Sequence, residues 1–392
     1  MTPLSVTVSD EPALMPWVEL LADGVGPRRP TSKAERLAAI LVRDRLAALG
    51  VEAELEPFRG YSTFAAPFGA IFAAALAPAL LPPRLRRSRS ALALAALAAL
   101  ASEGGLLRTP LSDALSRRPS QNLVATIEPR GAPRRTVALV CHVDSSRSGL
   151  LFHPAFVRHL NRWLLAQAAA GALQGAEPLL GGSRAGRRAL LAARILLAAG
   201  ALLVLERELR GEDVPGANDN ASGVAVVAEL ARELAARPPQ DTRVVALMTG
   251  CEESGLLGMQ AFLRDRDTSG WLFLNFDSVG GPGTLRYARR EGIGLKWDAD
   301  GGLVRTAERV AAARPELGIE PAQGPIGLTY DASPVLARGG RAITFVAGDG
   351  GVIPNYHWPT DTPDRVDQET LARALEAGRE MIAAIGRGEA DA

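Results

Sequence analysis

Apolar positions along this chain follow a helical rhythm in some stretches and a strand rhythm in others. Two long stretches follow neither. Between Ser32 and Leu49 the spacing is helical: Leu37, Ala38, Leu41, Val42, Ala48 and Leu49 share a broad face, Arg45 interrupts it, and Gly50 stops it. Residues 51–57 alternate and predict a strand. Further strands are predicted over 122–127, 136–140, 242–248, 271–276 and 342–347, and an edge strand over 285–289. Helical periodicity predicts helices over 224–234, 257–263, 303–313, 332–338 and 367–385. Strands alternating with helices point to an α/β fold with three αβα layers around a central mixed, mostly parallel sheet.

The two exceptions are nearly all apolar. Residues 64–83 carry no charge; a basic run, Arg84 to Arg89, and a second apolar arm, 91–101, follow. Residues 152–173 and 189–205 repeat the arrangement around a tip containing Arg184, Arg187 and Arg188. Each reads as an apolar helical hairpin with a basic tip. The resulting division is a catalytic domain over 1–60, 107–149 and 206–392, with hairpin insertions over 61–106 and 150–205. Arm length favours a four-helix membrane anchor through 64–105 and 150–205, with both tips cytoplasmic and the catalytic domain extracytoplasmic. The rival is a soluble apolar cap, favoured by His153, Arg158, His159 and Arg162 within one arm.

Net charge is +1, which gives no reason to expect a nucleic-acid partner. Cys141 and Cys251 allow at most one bridge and read as small buried residues. Met1 to Asp10 lacks a basic segment before an apolar core, so no ordinary signal peptide is expected there. Oligomeric state leaves no trace in the sequence.

Candidate chemistry sits just past the predicted strands. His142 and Asp144 follow one, Glu252 and Glu253 another, and Asp277 a third. Asp219 stands in a turn-forming run before a helix, and His357 in a late loop. Sites in open α/β sheets form at the carboxyl ends of strands, so these residues would converge. Two histidines with several carboxylates suit zinc, and an odd carboxylate can bridge two ions. Each residue alone has a plainer reading. Glu252 and Glu253 suit a solvated helix start. His142 could be structural, His357 part of an aromatic loop, Asp277 a cap.

The motifs His142-Val143-Asp144, Gly216 to Gly223, Cys251 to Gly258, Asn275 to Ser278 and Tyr356-His357 stand in the order of the M28 zinc-dependent aminopeptidases, which this chain resembles. Gly26-Pro27-Arg28 is similar too. The resemblance implies two zinc ions bridged by Asp219. His142 and Asp277 would complete one shell; Glu253 and His357 would complete the other. It implies Glu252 as general base and acid, Asp144 as the residue orienting His142, a cis peptide at Asp219–Asn220, and a peptide substrate cleaved at its amino terminus. Ala332 stands where many members have a histidine. Glutaminyl cyclase is the first rival, M20 metallopeptidases the second, and an inactive scaffold the non-enzyme rival. Tyr330, Met259 and Ile353 are guesses for the specificity pocket.

Overall fold

The computed structural model describes residues 12–106, 109–264, 266–293, 295–322, 328–348 and 352–391. The reading of Met1 to Asp10 lies outside them. Its strands are β1 Glu54–Gly60, β2 Arg118–Ile127, β3 Arg135–His142, β4 Thr242–Thr249, β5 Leu272–Phe276, β6 Thr284–Tyr287, β7 Arg290–Glu291, β8 Trp297–Asp298, β9 Ile319–Pro321 and β10 Arg341–Gly348. β7 and β8 form a small separate ladder. The other eight make one mixed sheet in the order β1-β2-β4-β3-β5-β10-β6-β9. Its centre, β4-β3-β5-β10, is parallel.

The α-helices are α1 Leu14–Glu19, α2 Lys33–Ala48, α3 Ala65–Leu76, α4 Arg86–Gly104, α5 Pro110–Leu115, α6 Pro154–Val157, α7 Leu160–Gly175, α8 Glu177–Leu180, α9 Arg184–Arg210, α10 Gly223–Ala236, α11 Glu252–Gly255, α12 Leu257–Arg264, α13 Gly301–Ala313, α14 Ala332–Ala337 and α15 Gln368–Gly386.

The central strands are apolar throughout because both faces are covered. Side chains alternate between faces at a period of two. Val137, Leu139 and Cys141 of β3 enter one core with residues of α1, α2, α10, α13 and α15. Ala138 and Val140 enter the other, against α12 and α14. β4 splits the same way: Val244, Ala246 and Met248 on one side, Val245 and Leu247 on the other. These are the three expected layers.

Local signals shift three readings. The strand expected over 51–57 runs over Glu54–Gly60. The segment expected at an edge, β6, pairs on both sides, with β10 and β9; β9 is the edge. α2 begins at Ser32, whose hydroxyl accepts from the Glu35 N–H, but its face is rotated from the expected one. Leu37 is 47% exposed while Glu35 is buried. Glu35 is drawn inward by four donors: the Thr31 and Cys251 N–H groups, the Ser120 hydroxyl and the Cys251 thiol.

The apolar stretches form four long helices, α3, α4, α7 and α9. α3 packs on α4 and α9, and α7 packs on the same two. Their shared core is small: Ala75, Ala96, Ala170, Ala193 and Leu197. Small residues let backbones approach closely enough for the Gln174 amide to donate to the Ala75 carbonyl at 2.8 Å. The first basic tip is not simply solvated, because Arg89 is buried in an ion pair with Glu177 at 3.1 Å.

This geometry corrects the four-span anchor. α3 has 12 residues, roughly 18 Å of helix, against a hydrocarbon core of about 30 Å. α4 opens with Arg86, Arg87 and Arg89. Of the described helices, only α9 is long and apolar enough to cross a bilayer.

Candidate metal centre

The parallel strands deliver the expected residues to one sheet end. His142 is the last residue of β3 and pairs in register with Thr249, the last of β4. Glu252 and Glu253 open α11, directly beyond β4. Asp277 follows β5 by one residue. His357 lies in the loop after β10, and Asp219 in the loop before α10.

The side chains converge. His142 Nε2 lies 3.2 Å from Asp219 Oδ1 and 3.5 Å from Asp277 Oδ2. His357 Nε2 lies 3.2 Å from Asp219 Oδ2 and 3.0 Å from Glu253 Oε2. Donor atoms of His142, Asp219 and Asp277 fall within 4.8 Å of one another, and so do those of Asp219, Glu253 and His357. Asp219 is common to both sets and turns one oxygen to each. Glu252 also comes within this reach of His142 and Glu253. All are buried except Glu252, which is half-buried. Backbone strain accompanies the site: Cys251, Ser278 and His357 hold φ near +50°, a left-handed conformation that non-glycine residues rarely adopt.

The run Gly216 to Gly223 is a locked loop. Asn220 Oδ1 accepts from the Gly223 and Ser278 N–H groups, and its amide donates to the Phe276 carbonyl. The Ser222 hydroxyl accepts from Val279 N–H, and Asn218 Oδ1 from Gly280 N–H. The Asp219 loop is thereby fastened to the segment that carries Asp277. A Cβ at Gly216, where φ is +65°, would sit 2.5 Å from the Asp219 carbonyl oxygen; glycine is required there. The Asp219–Asn220 peptide is cis, as expected.

Asp144 has two jobs. Its carboxylate accepts the N–H groups of Glu252 and Glu253, both at 3.1 Å, so it fixes the start of α11. Its main-chain carbonyl lies 3.1 Å from His142 Nδ1, against 3.7 Å for the nearer carboxylate oxygen.

Sequence reading passed over several supports. Asp361 accepts from the Asn218 and Asp219 N–H groups and so aims the Asp219 loop; burial raises its carboxyl to about 7. Its only sequence signal is its place in the loop that carries His357. Arg28, singled out for resemblance alone, is fully buried and donates to the carbonyls of Leu21, Gly26, Val143, Pro215 and Gly216. It ties the His142 segment to the Asp219 loop. Glu35, raised to about 8 chiefly by burial, holds the Cys251 turn. Asp331 accepts from the Thr249 hydroxyl. Cys141 and Cys251 are free and buried. Met259 is packed in the second core.

The electrostatics fit a bound cation. The carboxylates of Asp219, Glu253 and Asp277 are buried beside two imidazoles. Burial opposes charge on His357, yet Glu253 and Asp219 outweigh it and lift the ring to about 9. Burial likewise raises Glu252, and the neighbouring Glu253 and Asp277 charges add to it. Asp219 Oδ2 and Glu253 Oε1 have no hydrogen-bond partner although both are buried. Buried acceptors without donors, in a cluster short of positive charge, match what a metal ion satisfies.

The sequence profile of peptidase family M28 matches residues 203–382. That stretch is under half of the chain, and over it the chain is similar to peptidase family M28. Among similar proteins is the probable lipoprotein aminopeptidase LpqL of Mycobacterium tuberculosis, 29% identical over 184 residues, which cover 40% of this chain and 37% of that protein. Matched stretches span only 25% to 37% of the first such relatives' length. Among solved structures, a zinc aminopeptidase from Bacillus subtilis superposes with a TM-score of 0.56 at 16% identity, covering 95% of this chain and 94% of that one. A glutaminyl cyclase from Tannerella forsythia superposes with 0.55 at 16% identity, covering 94% and 96%. At such identities the likeness is one of fold.

Proposed function

We propose that this chain is a two-zinc aminopeptidase of the M28 kind that removes the first residue of a peptide. The observation behind the reading is the shared Asp219, whose two oxygens face histidines of two different ligand sets. His142, Asp277 and Asp219 Oδ1 would hold one ion; Glu253, His357 and Asp219 Oδ2 the other. Zinc supplies Lewis acidity there, lowering the pKa of a water and polarising a carbonyl.

The chain's own residues do the rest. The Glu252 carboxylate takes the proton of the attacking water and hands it to the nitrogen of the leaving amine. The Glu252 backbone is pinned by Asp144, which keeps the carboxylate beside the ligand sets. The Asp144 carbonyl accepts from His142 Nδ1–H and leaves Nε2 free as a ligand. The chain is proposed to divide into a catalytic body (1–60, 107–149 and 206–392) and helical insertions (61–106 and 150–205). The insertions have a core of their own.

The fold likeness alone does not separate this reading from a glutaminyl cyclase. Zinc per chain, measured with aminoacyl-anilide hydrolysis and cyclisation of a glutaminyl peptide, does. The expected result is two zinc ions and anilide hydrolysis. One zinc with cyclisation alone would replace the reading by the cyclase; no zinc uptake would replace it by a scaffold.

We propose also that the helical region lies against a membrane. Leu191, Ile195, Leu202, Leu205 and Leu209 form an exposed apolar row on α9. Arg184, Arg187 and Arg188 stand at the start of that helix. Apolar rows flanked by arginine suit an anionic lipid surface. The sidedness argued from two basic tips no longer follows, because Arg89 is buried against Glu177. The protein is expected to float with phosphatidylglycerol-containing vesicles, and Ile195→Glu with Leu202→Glu to stop it. Equal flotation of the double variant would defeat the membrane contact.

A further inference from the structure

The inserted helices do more than sit beside the metal centre. Between them and the sheet end lies a cavity of about 400 Å³. Glu252, Glu253 and His357 line it at one end. Phe72, Leu97 and Gln167 line it at the other, where they also border a smaller void within the helical bundle. Between these ends the wall is apolar, with Phe68, Leu164 and Leu203 prominent. The insertion also touches a candidate ligand directly. Phe152 stands edge-on to the His357 ring, with centroids 4.4 Å apart, and Phe64 packs on Phe152 in turn. Cavity, insertion and metal centre are therefore one packed unit.

Size and chemistry narrow the occupant. A dry apolar cavity of about 150 Å³ is enough for a benzene ring. A volume of about 400 Å³ falls in the range of pockets that enclose a whole drug-sized ligand. It exceeds what one aromatic side chain needs. Its wall supplies few polar partners along its length, so a chain of peptide groups would be left unpaired there. An unbranched hydrocarbon would not.

We propose that this cavity is the pocket for the side chain of the substrate's first residue, and that it takes an aliphatic chain longer than any genetically encoded one. The substrate class is an α-amino-acid amide with a long alkyl side chain. The amide lies at the carboxylate end and the alkyl chain runs between α3, α4, α7 and α9. This inference rests on the aminopeptidase reading, because that reading puts the scissile bond beside Glu252.

The test is a series of zinc-loaded hydrolysis assays on L-2-aminoacyl 4-nitroanilides with straight side chains of four, six, eight and ten carbons. Burying one methylene is worth a factor of about four. kcat/KM is expected to climb through eight carbons, by at least tenfold from four to eight. Ala168 lines the same cavity, and Ala168→Phe is expected to cut the eight-to-four ratio at least fivefold. Circular dichroism and zinc content check that this variant is folded and loaded. A rate that peaks at four carbons and falls beyond would overturn the proposal, as would an unchanged ratio in the variant. Titration with butylamine, hexylamine, octylamine and decylamine separates this inference from the one it rests on. If no anilide is cleaved but affinity rises with amine length and Ala168→Phe removes the rise, the pocket stands and the aminopeptidase reading falls. Flat amine affinities together with anilide cleavage would do the reverse.

Discussion

Glu252→Gln is expected to lower kcat by about 10²- to 10⁴-fold, with two zinc ions still bound. Glutamine keeps the size of the side chain but has no carboxylate to take a proton. The backbone contacts to Asp144 survive, since they come from N–H groups of residues 252 and 253. The ligand sets that include Asp219 do not need Glu252. KM is expected to change little, because the group acts on the proton rather than on ground-state binding. Steady-state kinetics on an aminoacyl anilide, run beside metal analysis, checks the point. A variant with near-normal kcat would remove Glu252 from the mechanism. A variant that loses both activity and zinc would make it a ligand.

Much of the arrangement was legible in the chain because its signals are local. Fully apolar strand runs, such as Val137 to Val140, mark a sheet covered on both faces, and that sheet is present. Candidate ligands placed just beyond those runs had to meet at one sheet end. What could not be read depends on contacts remote in sequence. Glu35 looks like a surface residue of an amphipathic helix, yet it meets Cys251, more than two hundred positions away. Asp361 looks like a loop residue and in fact holds the Asp219 backbone. No periodicity announces such partners. The apolar insertions failed differently. Span length suggested lipid, but alanine-rich helices also pack closely on one another, and composition alone does not tell the two apart. The bundle core of Ala75, Ala96, Ala170 and Ala193 resolves how these helices meet, and Pro78 shows why the first arm ends early.

Asp219→Asn carries the other large expectation, and it separates a shared centre from two independent ones. Asparagine has nearly the same shape but brings one neutral oxygen in place of two charged ones. In the present arrangement each Asp219 oxygen faces a different histidine, at 3.2 Å in both cases. If the proposed two-ion centre is right, loss of the charge weakens both ion sites at once. Zinc is expected to fall from two per chain to below one, and kcat/KM by at least about a thousandfold. That corresponds to about 4 kcal/mol of lost transition-state stabilisation. Asp277→Asn supplies the contrast. Asp277 approaches only His142 among the two histidines, so the Glu253–His357 side should keep its ion. Metal analysis of the two variants under one dialysis protocol reads the difference. If Asp219→Asn and Asp277→Asn each lose a single ion, Asp219 belongs to one shell only and the bridged centre is wrong. If Asp219→Asn empties both sites while Asp277→Asn empties one, the shared carboxylate holds the two ions together. Asp361, through the Asp219 N–H, then becomes a residue that sets their spacing.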